Sequence, residues 1–197
     1  MFTSLLLGTR NPGKIYEIKL IIGDLGIELH SLPSGIEVAA ENFPTYSGNA
    51  VAKAQFYAQA TSMLALADDS GLEVEALGGA PGVLSARYAG EHATDADRRA
   101  LLLSSLTKTE STNRRARFVC AIAIADANGE VLNVSEGICE GVITFAPRGE
   151  SGFGYDPLFI PDGYNETFGE LSDDIKNQIS HRARALLKLR EFLVSIT

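Results

Sequence analysis

Cysteine is scarce in this chain, and long apolar runs are missing from it. The 197 residues include two cysteines, Cys120 and Cys139, which lie in apolar stretches and lack the spacing of metal ligands. We therefore expect both to be buried thiols in a reducing cytoplasm. No apolar run approaches the roughly 18 residues that cross a bilayer, and residues 1–7 lack the basic start and the length of a signal peptide. The sequence thus predicts a cytoplasmic protein with no membrane partner.

Positive charge is also in short supply. The chain has 17 Lys and Arg residues against 25 Asp and Glu residues, which gives a net charge of −8 at pH 7. Binding to long nucleic acid requires a basic face that releases counterions, so we expect no polymeric nucleic acid as a partner. A local cluster of cations could still hold a small anionic ligand. The motifs that gather basic residues are therefore the informative ones.

Strand-like and helical patterns alternate along the whole chain, without an internal repeat, a low-complexity tract or a linker. This alternation predicts one α/β domain over residues 1–197, with the hairpin region at about 110–150 as a candidate second lobe. The predicted strands are residues 3–8, 27–29, 64–67, 72–74, 117–125, 131–134, 138–145 and 158–160. The predicted helices are residues 12–22, 50–64, 94–106 and a last helix that begins near residue 180.

The first motif lies between a predicted strand and a predicted helix. It consists of Thr9, Arg10, Asn11, Pro12, Gly13 and Lys14. Asn11 is a typical N-cap residue, and the free N–H groups of a helix N-terminus suit a phosphate group. Lys14 lies in the first turn, where a cation is unfavourable for the helix unless an anion shares the site. The spacing is not that of a Walker A loop, and a well-capped helix with a solvated lysine is the alternative interpretation.

Two adjacent carboxylates, Asp68 and Asp69, form the second motif together with Ser70 and Gly71. Neighbouring side chains of a strand point to opposite faces, so we expect only one of the two carboxylates to meet a given cleft. A carboxylate at a strand end suits Mg²⁺, which takes one or two carboxylates together with phosphate oxygens and waters. An ordinary polar turn has a similar composition. Charges beside buried strands are costly without a partner, however, and this favours a functional role.

A glycine-rich loop forms the third motif and contains Phe153, Gly154, Tyr155 and Asp156. Its glycines allow close approach of the backbone, while aromatic rings and a carboxylate can meet a purine base. A loop whose aromatic residues close the core is the alternative.

Basic residues near the start of the last predicted helix form the fourth motif. They are Lys176 and the His181-Arg182 pair that follows Ser180. Positive charge at a helix N-terminus opposes the helix dipole, which again favours an anionic or polar ligand over a solvated helix start.

Taken in order, these motifs resemble those of the inosine/xanthosine triphosphate pyrophosphatase family over nearly the whole chain. The shared segments are T-x-N-x-x-K (residues 9–14), A-D-D-S-G-L (67–72), G-G-A-P-G-x-x-S-A-R-Y (78–88), G-F-G-Y-D-P (152–157) and S-H-R (180–182). The resemblance implies an elongated, two-lobed α/β fold around a long mixed β-sheet with flanking helices and a central nucleotide cleft. It also implies a Mg²⁺-dependent homodimer that hydrolyses ITP, dITP or XTP to the monophosphate and pyrophosphate, removing deaminated purines from the nucleotide pool.

The resemblance also assigns roles to single residues. Residues 9–14 would hold the triphosphate, with Lys14 stabilising the leaving pyrophosphate. Asp69 would ligate the metal and act as the base, although the residues alone leave Asp68 open as the base. Contacts to the nucleotide would come from Ser70, Phe153, Gly154, Tyr155, Asp156, Lys176, His181 and Arg182. Donors such as His181 and Arg182 favour the 6-oxo group of inosine and xanthine over the amino group of adenine.

One departure from the family pattern concerns the metal. Family members carry Glu-Asn-Ala where this chain has Gly48, Asn49 and Ala50, so one carboxylate is missing. The upstream Glu41 is the best match to a second acidic position, and we expect it to ligate the metal together with Asp69. Two other functions fit parts of the pattern. They are a septum-inhibitor type of nucleotide pyrophosphatase, which prefers modified pyrimidines, and a nucleotide-binding regulator without catalysis.

Overall fold

Six β-strands and five α-helices make up the fold in a computed structural model that describes residues 3–196. Residues 1, 2 and 197 of the predicted domain lie outside the described residues. The strands are β1 (Ser4–Leu7), β2 (Glu28–Ser31), β3 (Ala65–Val74), β4 (Arg115–Ala125), β5 (Val131–Ile143) and β6 (Phe159–Pro161). The helices are α1 (Pro12–Ile22), α2 (Tyr46–Thr61), α3 (Asp95–Thr107), α4 (Asp173–Ile179) and α5 (His181–Ile196). Within residues 3–196, no helix is both long and apolar enough to span a membrane.

The strands form one mixed sheet in the order β2-β1-β3-β4-β5-β6. Strand β1 pairs in parallel with β2 and β3, so that Leu6 lies opposite both His30 and Ala65. Strand β5 pairs antiparallel with β6, with Val142 opposite Ile160. The prediction of an α/β fold with a mixed sheet and flanking helices is therefore confirmed.

The described chain divides into two compact units. The first unit contains residues 3–69, 120–137 and 181–196, and the second contains residues 70–119 and 138–180. Residues 110–150, the candidate second lobe of the sequence analysis, are distributed over both units. Each unit is described below by itself.

The core of the first unit is aliphatic. Helix α1 begins where the sequence predicts it, because the Asn11 side chain accepts a hydrogen bond from the backbone N–H of Lys14 at 3.0 Å. Its buried Ile18 and Ile22 join a cluster with Leu66 of β3 and Leu186 of α5. Burial of this apolar face fixes α1 in its place, which determines where its N-terminal turn presents Lys14.

The core of the second unit combines aliphatic side chains with a group of phenylalanine rings. The rings of Phe118, Phe159 and Phe168 pack together, with 4.7 Å between the centroids of Phe118 and Phe159 and 5.4 Å between those of Phe159 and Phe168. Helix α3 packs Leu102 and Leu106 into the same cluster. Thr94 caps α3 in a capping box with Asp97.

Three element predictions are wrong. The runs 64–67 and 72–74 form the single strand β3, and the runs 131–134 and 138–145 form the single strand β5. A Cβ atom at Gly137 would lie 2.1 Å from the carbonyl oxygen of His181, so this glycine permits close approach of α5 within a continuous strand instead of marking a turn. Helix α2 starts at Tyr46, one turn before the prediction, because Thr45 caps it.

Candidate active site

Lys14 projects from the first turn of α1 toward the carboxylate of Asp68 on β3. Its Nζ atom lies 2.9 Å from Oδ2 of Asp68, and 17% of the lysine side chain is exposed. The preceding loop is ordered by its own side chains, since the Asn11 N–H donates to Oγ1 of Thr9 at 3.2 Å. The carboxylate of Asp68 is therefore an anion that the protein itself places beside Lys14.

Asp68 is buried among cations. Besides Lys14, its Oδ2 atom accepts a hydrogen bond from Nε of Arg182 at 3.3 Å, and the thiol of Cys120 lies at 4.0 Å. Burial alone would raise the pKa of Asp68, but the charges of Lys14, Arg182 and Lys53 outweigh it and hold the pKa well below its usual range. Asp68 is therefore a permanent anion with little tendency to accept a proton.

Arg182 sits at the start of α5 with 2% of its side chain exposed. Its Nη1 atom donates to Oε2 of Glu17 at 2.5 Å, and its Nε atom donates to Asp68. Burial would lower the pKa of this guanidinium, but the charges of Glu17 and Asp68 raise it instead. Whereas the sequence predicts a contact between Arg182 and a purine base, the structure directs the guanidinium at these two carboxylates.

Asp69 faces a different set of partners, as expected for the neighbour of Asp68 on a strand. Its Oδ2 atom accepts a hydrogen bond from Nδ2 of Asn49 on α2 at 2.8 Å. Burial raises the pKa of Asp69 above its usual range, and the charge of Glu41 raises it further, against the effect of the Asn49 hydrogen bond. The two adjacent aspartates thus differ in kind, because only Asp69 has an increased tendency to take up a proton.

Lys53, one turn after Asn49 on α2, connects Glu41 to the strand. Its Nζ atom donates to Oε1 of Glu41 at 2.6 Å and to the backbone carbonyl of Asp68 at 2.7 Å. Burial would lower the pKa of Lys53, but the charges of Asp68 and Glu41 raise it. Lys53 therefore remains a cation and restrains Glu41, which lies in the irregular segment before α2.

Sequence reasoning assigned no role to Glu17, Asn49 or Lys53. Asn49 and Lys53 are spaced by four residues, so they share a face of α2, and both are buried. Glu17 is a buried acid on the apolar face of α1. Polar residues at helical spacing within an apolar face were the available signal, because such groups need partners.

Gly48 occupies the position at which the resemblance implies a glutamate. A Cβ atom there would lie 2.9 Å from Cβ of Phe43 and 2.9 Å from Oγ1 of Thr45, so the neighbouring residues fill the space that a side chain would need. The N–H of Gly48 donates to Oγ1 of Thr45 at 3.1 Å as part of the cap of α2. The missing carboxylate is therefore not restored at this position.

Glu41 and Asp69 are the residues that could hold a metal ion. The charge of Glu41 acts on Asp69, and burial destabilises the charged form of Asp69, so a divalent cation would relieve both effects. Among the described residues, no three or more His, Cys, Asp or Glu side chains form a metal-binding group. Two carboxylates suit Mg²⁺, which completes its shell with waters and phosphate oxygens. The donor set thus fits Mg²⁺.

The glycine-rich loop lies in the second unit. Oδ2 of Asp156 accepts hydrogen bonds from the N–H of Phe153 at 2.9 Å and from Nζ of Lys176 at 2.7 Å. The same Nζ atom lies 4.9 Å from the centroid of the Phe153 ring. Gly152 has a φ of +74°, and a Cβ atom there would lie 2.2 Å from Oδ2 of Asp156, so only glycine fits. The structure thus brings together Phe153, Asp156 and Lys176, three residues to which the resemblance assigns contacts with the nucleotide.

The remaining predicted residues have structural surroundings of their own. Tyr155 is buried and donates its hydroxyl hydrogen to the carbonyl oxygen of Ser85 at 3.0 Å. Arg10 donates to the backbone carbonyl of Ile36 at 2.5 Å and to that of Pro33 at 3.3 Å, and so holds the segment that leads toward Glu41. Ser70 is a half-buried residue of β3, and His181 is a buried residue at the first position of α5; both make further polar or electrostatic interactions.

The mixed sheet with its flanking helices makes this an α/β protein, and its site pairs Lys14 and Arg182, from the first turns of two helices, with Asp68 of a central strand. The profile of the Ham1 family matches residues 5–192, and the chain belongs to this family. It is 48% identical to a dITP/XTP pyrophosphatase of Desulforamulus reducens over 96% of this chain and 94% of that protein. It is 47% identical to a dITP/XTP pyrophosphatase of an Exiguobacterium species over 96% of both chains. The solved structure of a HAM1 protein from Coxiella burnetii superposes with a TM-score of 0.88 at 39% identity, over 99% of this chain and 100% of that one.

Proposed function

We propose that this protein hydrolyses deaminated purine nucleoside triphosphates, namely ITP, dITP and XTP, to the monophosphate and pyrophosphate. Two relatives that are 47% and 48% identical over nearly the full length of the chain are named dITP/XTP pyrophosphatases, and this supports the proposed activity. The observation that carries the proposal is the contrast between the two aspartates of β3. Oδ2 of Asp68 lies 2.9 Å from Nζ of Lys14 and 3.3 Å from Nε of Arg182, while Oδ2 of Asp69 accepts a hydrogen bond from the amide of Asn49 at 2.8 Å. This contrast supports Asp69 as the base and Lys14 as a cation for the phosphate groups.

Asp69 is the general base in this proposal. Water attacks the α-phosphorus, its proton passes to the carboxylate of Asp69, and the bond from the α-phosphorus to the bridging oxygen of the β-phosphate breaks. Lys14 and Arg182 contact the carboxylate of Asp68, which makes it a poor proton acceptor, whereas Asp69 accepts a hydrogen bond from the neutral amide of Asn49. This difference supports Asp69 over Asp68 as the base, the role that the resemblance also implies.

Lys14 and the N-terminal turn of α1 bind the phosphates and stabilise the departing pyrophosphate. The partial positive charge of the helix end and the ammonium group act on the same anion. Glu41 and Asp69 would hold Mg²⁺, which when bound neutralises charge on the phosphate oxygens. Lys53 keeps Glu41 in position through the 2.6 Å contact.

For the base, we propose the residues of the glycine-rich loop in the second unit. Phe153 offers a ring for stacking. Asp156 and Lys176 of α4 form a buried ion pair at 2.7 Å beside this ring, and their contact with the nucleotide is a proposal that derives from the family resemblance. Nucleotide contacts of Thr9, Ser70, His181 and Arg182 and a homodimer are further proposals, which derive from the family resemblance. A cytoplasmic location is proposed from the scarcity of cysteine. Arg182 donates to Glu17 and Asp68, so a contact with the base would come in addition to these two bonds.

A product assay with Mg²⁺ across ITP, XTP, dITP, ATP and GTP tests the proposal. We expect pyrophosphate from ITP, XTP and dITP, with much lower turnover of ATP and GTP. Orthophosphate as the product would indicate a phosphatase instead, and binding without any product would indicate a nucleotide-binding regulator.

A further inference from the structure

The loop that carries Phe153 has little conformational restraint in its own sequence. Glycines flank the aromatic residue on both sides, with φ values of +74° at Gly152 and +60° at Gly154. No heavy atom lies within 4 Å of the position that a Cβ atom of Gly154 would take, so packing does not hold this residue. Glycine is the most flexible residue of an unfolded or loosely held segment. Asp156 holds the N–H of Phe153 within the loop at 2.9 Å, whereas the peptide of Gly154 has its hydrogen-bond partners outside the loop.

Helix α3 holds both polar groups of the Gly154 backbone. Oδ2 of Asp95 accepts a hydrogen bond from the Gly154 N–H at 2.7 Å. Nη1 of Arg99 donates to the Gly154 carbonyl oxygen at 2.7 Å. Asp95 and Arg99 are four residues apart, so they share one face of α3. Two charged side chains thus hold one backbone residue, one through its N–H and the other through its carbonyl oxygen.

These two hydrogen bonds to Gly154 are separate from the cap of α3. The capping box uses Thr94 and Asp97, whose Oδ2 atom accepts hydrogen bonds from the N–H of Thr94 at 2.9 Å and from its hydroxyl group at 2.6 Å. Asp95 instead contacts Gly154 and the guanidinium of Arg98. Arg98 in turn donates to the carbonyl oxygens of Ala86 at 2.9 Å and Ala93 at 2.7 Å. These bonds fix the guanidinium group that contacts Asp95.

We propose that Asp95 and Arg99 are positioning residues that fix the Phe153 loop in the conformation that receives the purine base. This inference rests on the proposed function of the loop and adds two residues to it. Their effect falls on the binding of the base and not on the attack at the phosphate, because both residues hold the backbone of Gly154, next to Phe153. They should therefore govern the affinity for nucleotides that carry a base and leave the affinity for free pyrophosphate unchanged.

The test compares Asp95→Ala with Asp97→Ala, a matched change two residues away on the same helix. For Asp95→Ala we expect KM for ITP and the inhibition constant of inosine monophosphate to rise about tenfold, the size of one lost charge-assisted hydrogen bond. The inhibition constant of pyrophosphate and kcat should stay within about twofold, since no phosphate contact is lost. Asp97→Ala should lower the melting temperature and leave all these constants near those of the wild type.

Two further variants keep the proposal falsifiable if Asp95→Ala folds poorly. Asp95→Asn retains an oxygen acceptor for the Gly154 N–H and should show a smaller rise in KM than the alanine variant. Arg99→Met removes the hydrogen bond to the carbonyl oxygen of Gly154 and should reproduce the effect of Asp95→Ala. Equal constants for Asp95→Ala and the wild type, or a parallel loss of affinity for inosine monophosphate and pyrophosphate, would overturn the proposal.

Calorimetric titration of inosine monophosphate separates this proposal from the proposed function. If the wild type binds the monophosphate but does not hydrolyse ITP, the proposed activity fails and the comparison of Asp95→Ala with Asp97→Ala still decides the positioning role. If the wild type binds no inosine monophosphate, the positioning proposal is overturned as well.

Discussion

Lys14, Asp68 and Arg182 of the first unit contact one another through charged side-chain atoms, whereas Asp95 and Arg99 of the second unit contact the backbone of Gly154. In the first unit the partners are almost fully buried, so each charge depends on the others. In the second unit the partners lie nearer the surface, and the group being held is a flexible peptide. A site can be held by buried ion pairs or by side chains that bind a flexible backbone segment. The two arrangements differ in whether a single substitution lowers stability or affinity.

A buried charge that loses its partner keeps its desolvation penalty, so the cost appears in stability. A backbone hydrogen bond near the surface is replaced by water when it is lost, so the cost in stability is modest and the main effect is on orientation. The first unit should therefore respond to substitution with loss of folding or of chemistry. The second should respond with loss of affinity.

The largest effect on activity is expected for Asp69→Asn. The asparagine keeps the shape and an oxygen for the Asn49 hydrogen bond but cannot take the proton, so turnover of ITP should fall by about 10² to 10⁴. The melting temperature should change little. Steady-state kinetics and thermal unfolding measure the two effects, and Asp24→Asn, which changes an exposed carboxylate of the same unit, is the control with full activity. Wild-type turnover by Asp69→Asn would end the assignment of the base.

The largest effect on stability is expected for Arg182→Met. This change leaves Glu17 and Asp68 buried without their guanidinium partner, and removal of one member of such a group costs about 3–5 kcal/mol. Urea denaturation measures the loss. Arg190→Met, which breaks an exposed pair with Asp24, should cost far less.

The same variant distinguishes two roles of Arg182. If Arg182→Met were as stable as Arg190→Met and merely lost its preference for ITP over ATP, the guanidinium would be a base-reading group, as the sequence predicts. A large loss of stability, with the ITP-to-ATP ratio unchanged in the remaining folded protein, supports the buried charge cluster.

A smaller effect is expected at the candidate metal site. Glu41→Gln removes one of two carboxylate ligands, so we expect the Mg²⁺ concentration for half-maximal activity to rise by about tenfold, within the range known for weakened metal sites. Chelation of Mg²⁺ should abolish turnover in both proteins, with recovery when the metal is restored. Glu37→Gln is the matched control, because Glu37 is an exposed acid in the same irregular segment. An unchanged Mg²⁺ requirement in Glu41→Gln would remove Glu41 from the metal site.

A modest effect on stability is expected in the second unit. Asp95→Ala should lower the free energy of unfolding by about 1 kcal/mol, the typical net value of a hydrogen bond. Its larger consequence should be on KM, as argued above. A loss of unfolding free energy as large as that of Arg182→Met would show that the hydrogen bond to Gly154 supports the fold. The two units would then respond to substitution in the same way.

Local features of the site could be predicted from the sequence. Asn11 and Thr94 cap their helices by bonds to residues three positions away, and the opposite orientation of Asp68 and Asp69 follows from the geometry of a strand. The resemblance predicts that Phe153, Asp156 and Lys176 contact the nucleotide, which stays a prediction, and the structure adds their contacts with one another.

Long-range partners could not be predicted in this way. Glu17 and Arg182 are separated by 165 positions, and their contact exists only because α1 and α5 pack on the same core. The contact of Asp95 with Gly154 spans 59 positions. The continuity of β3 and β5 was missed for a related reason. A glycine or a pair of aspartates within a strand resembles a turn until the approaching partner is known.

The most direct test of the proposed activity is hydrolysis of ITP in water enriched in the heavy oxygen isotope. Attack at the α-phosphorus, with Asp69 as the base, predicts that the label enters inosine monophosphate and that the released pyrophosphate carries none. Label in pyrophosphate or in orthophosphate would place the attack at another phosphorus and contradict the account.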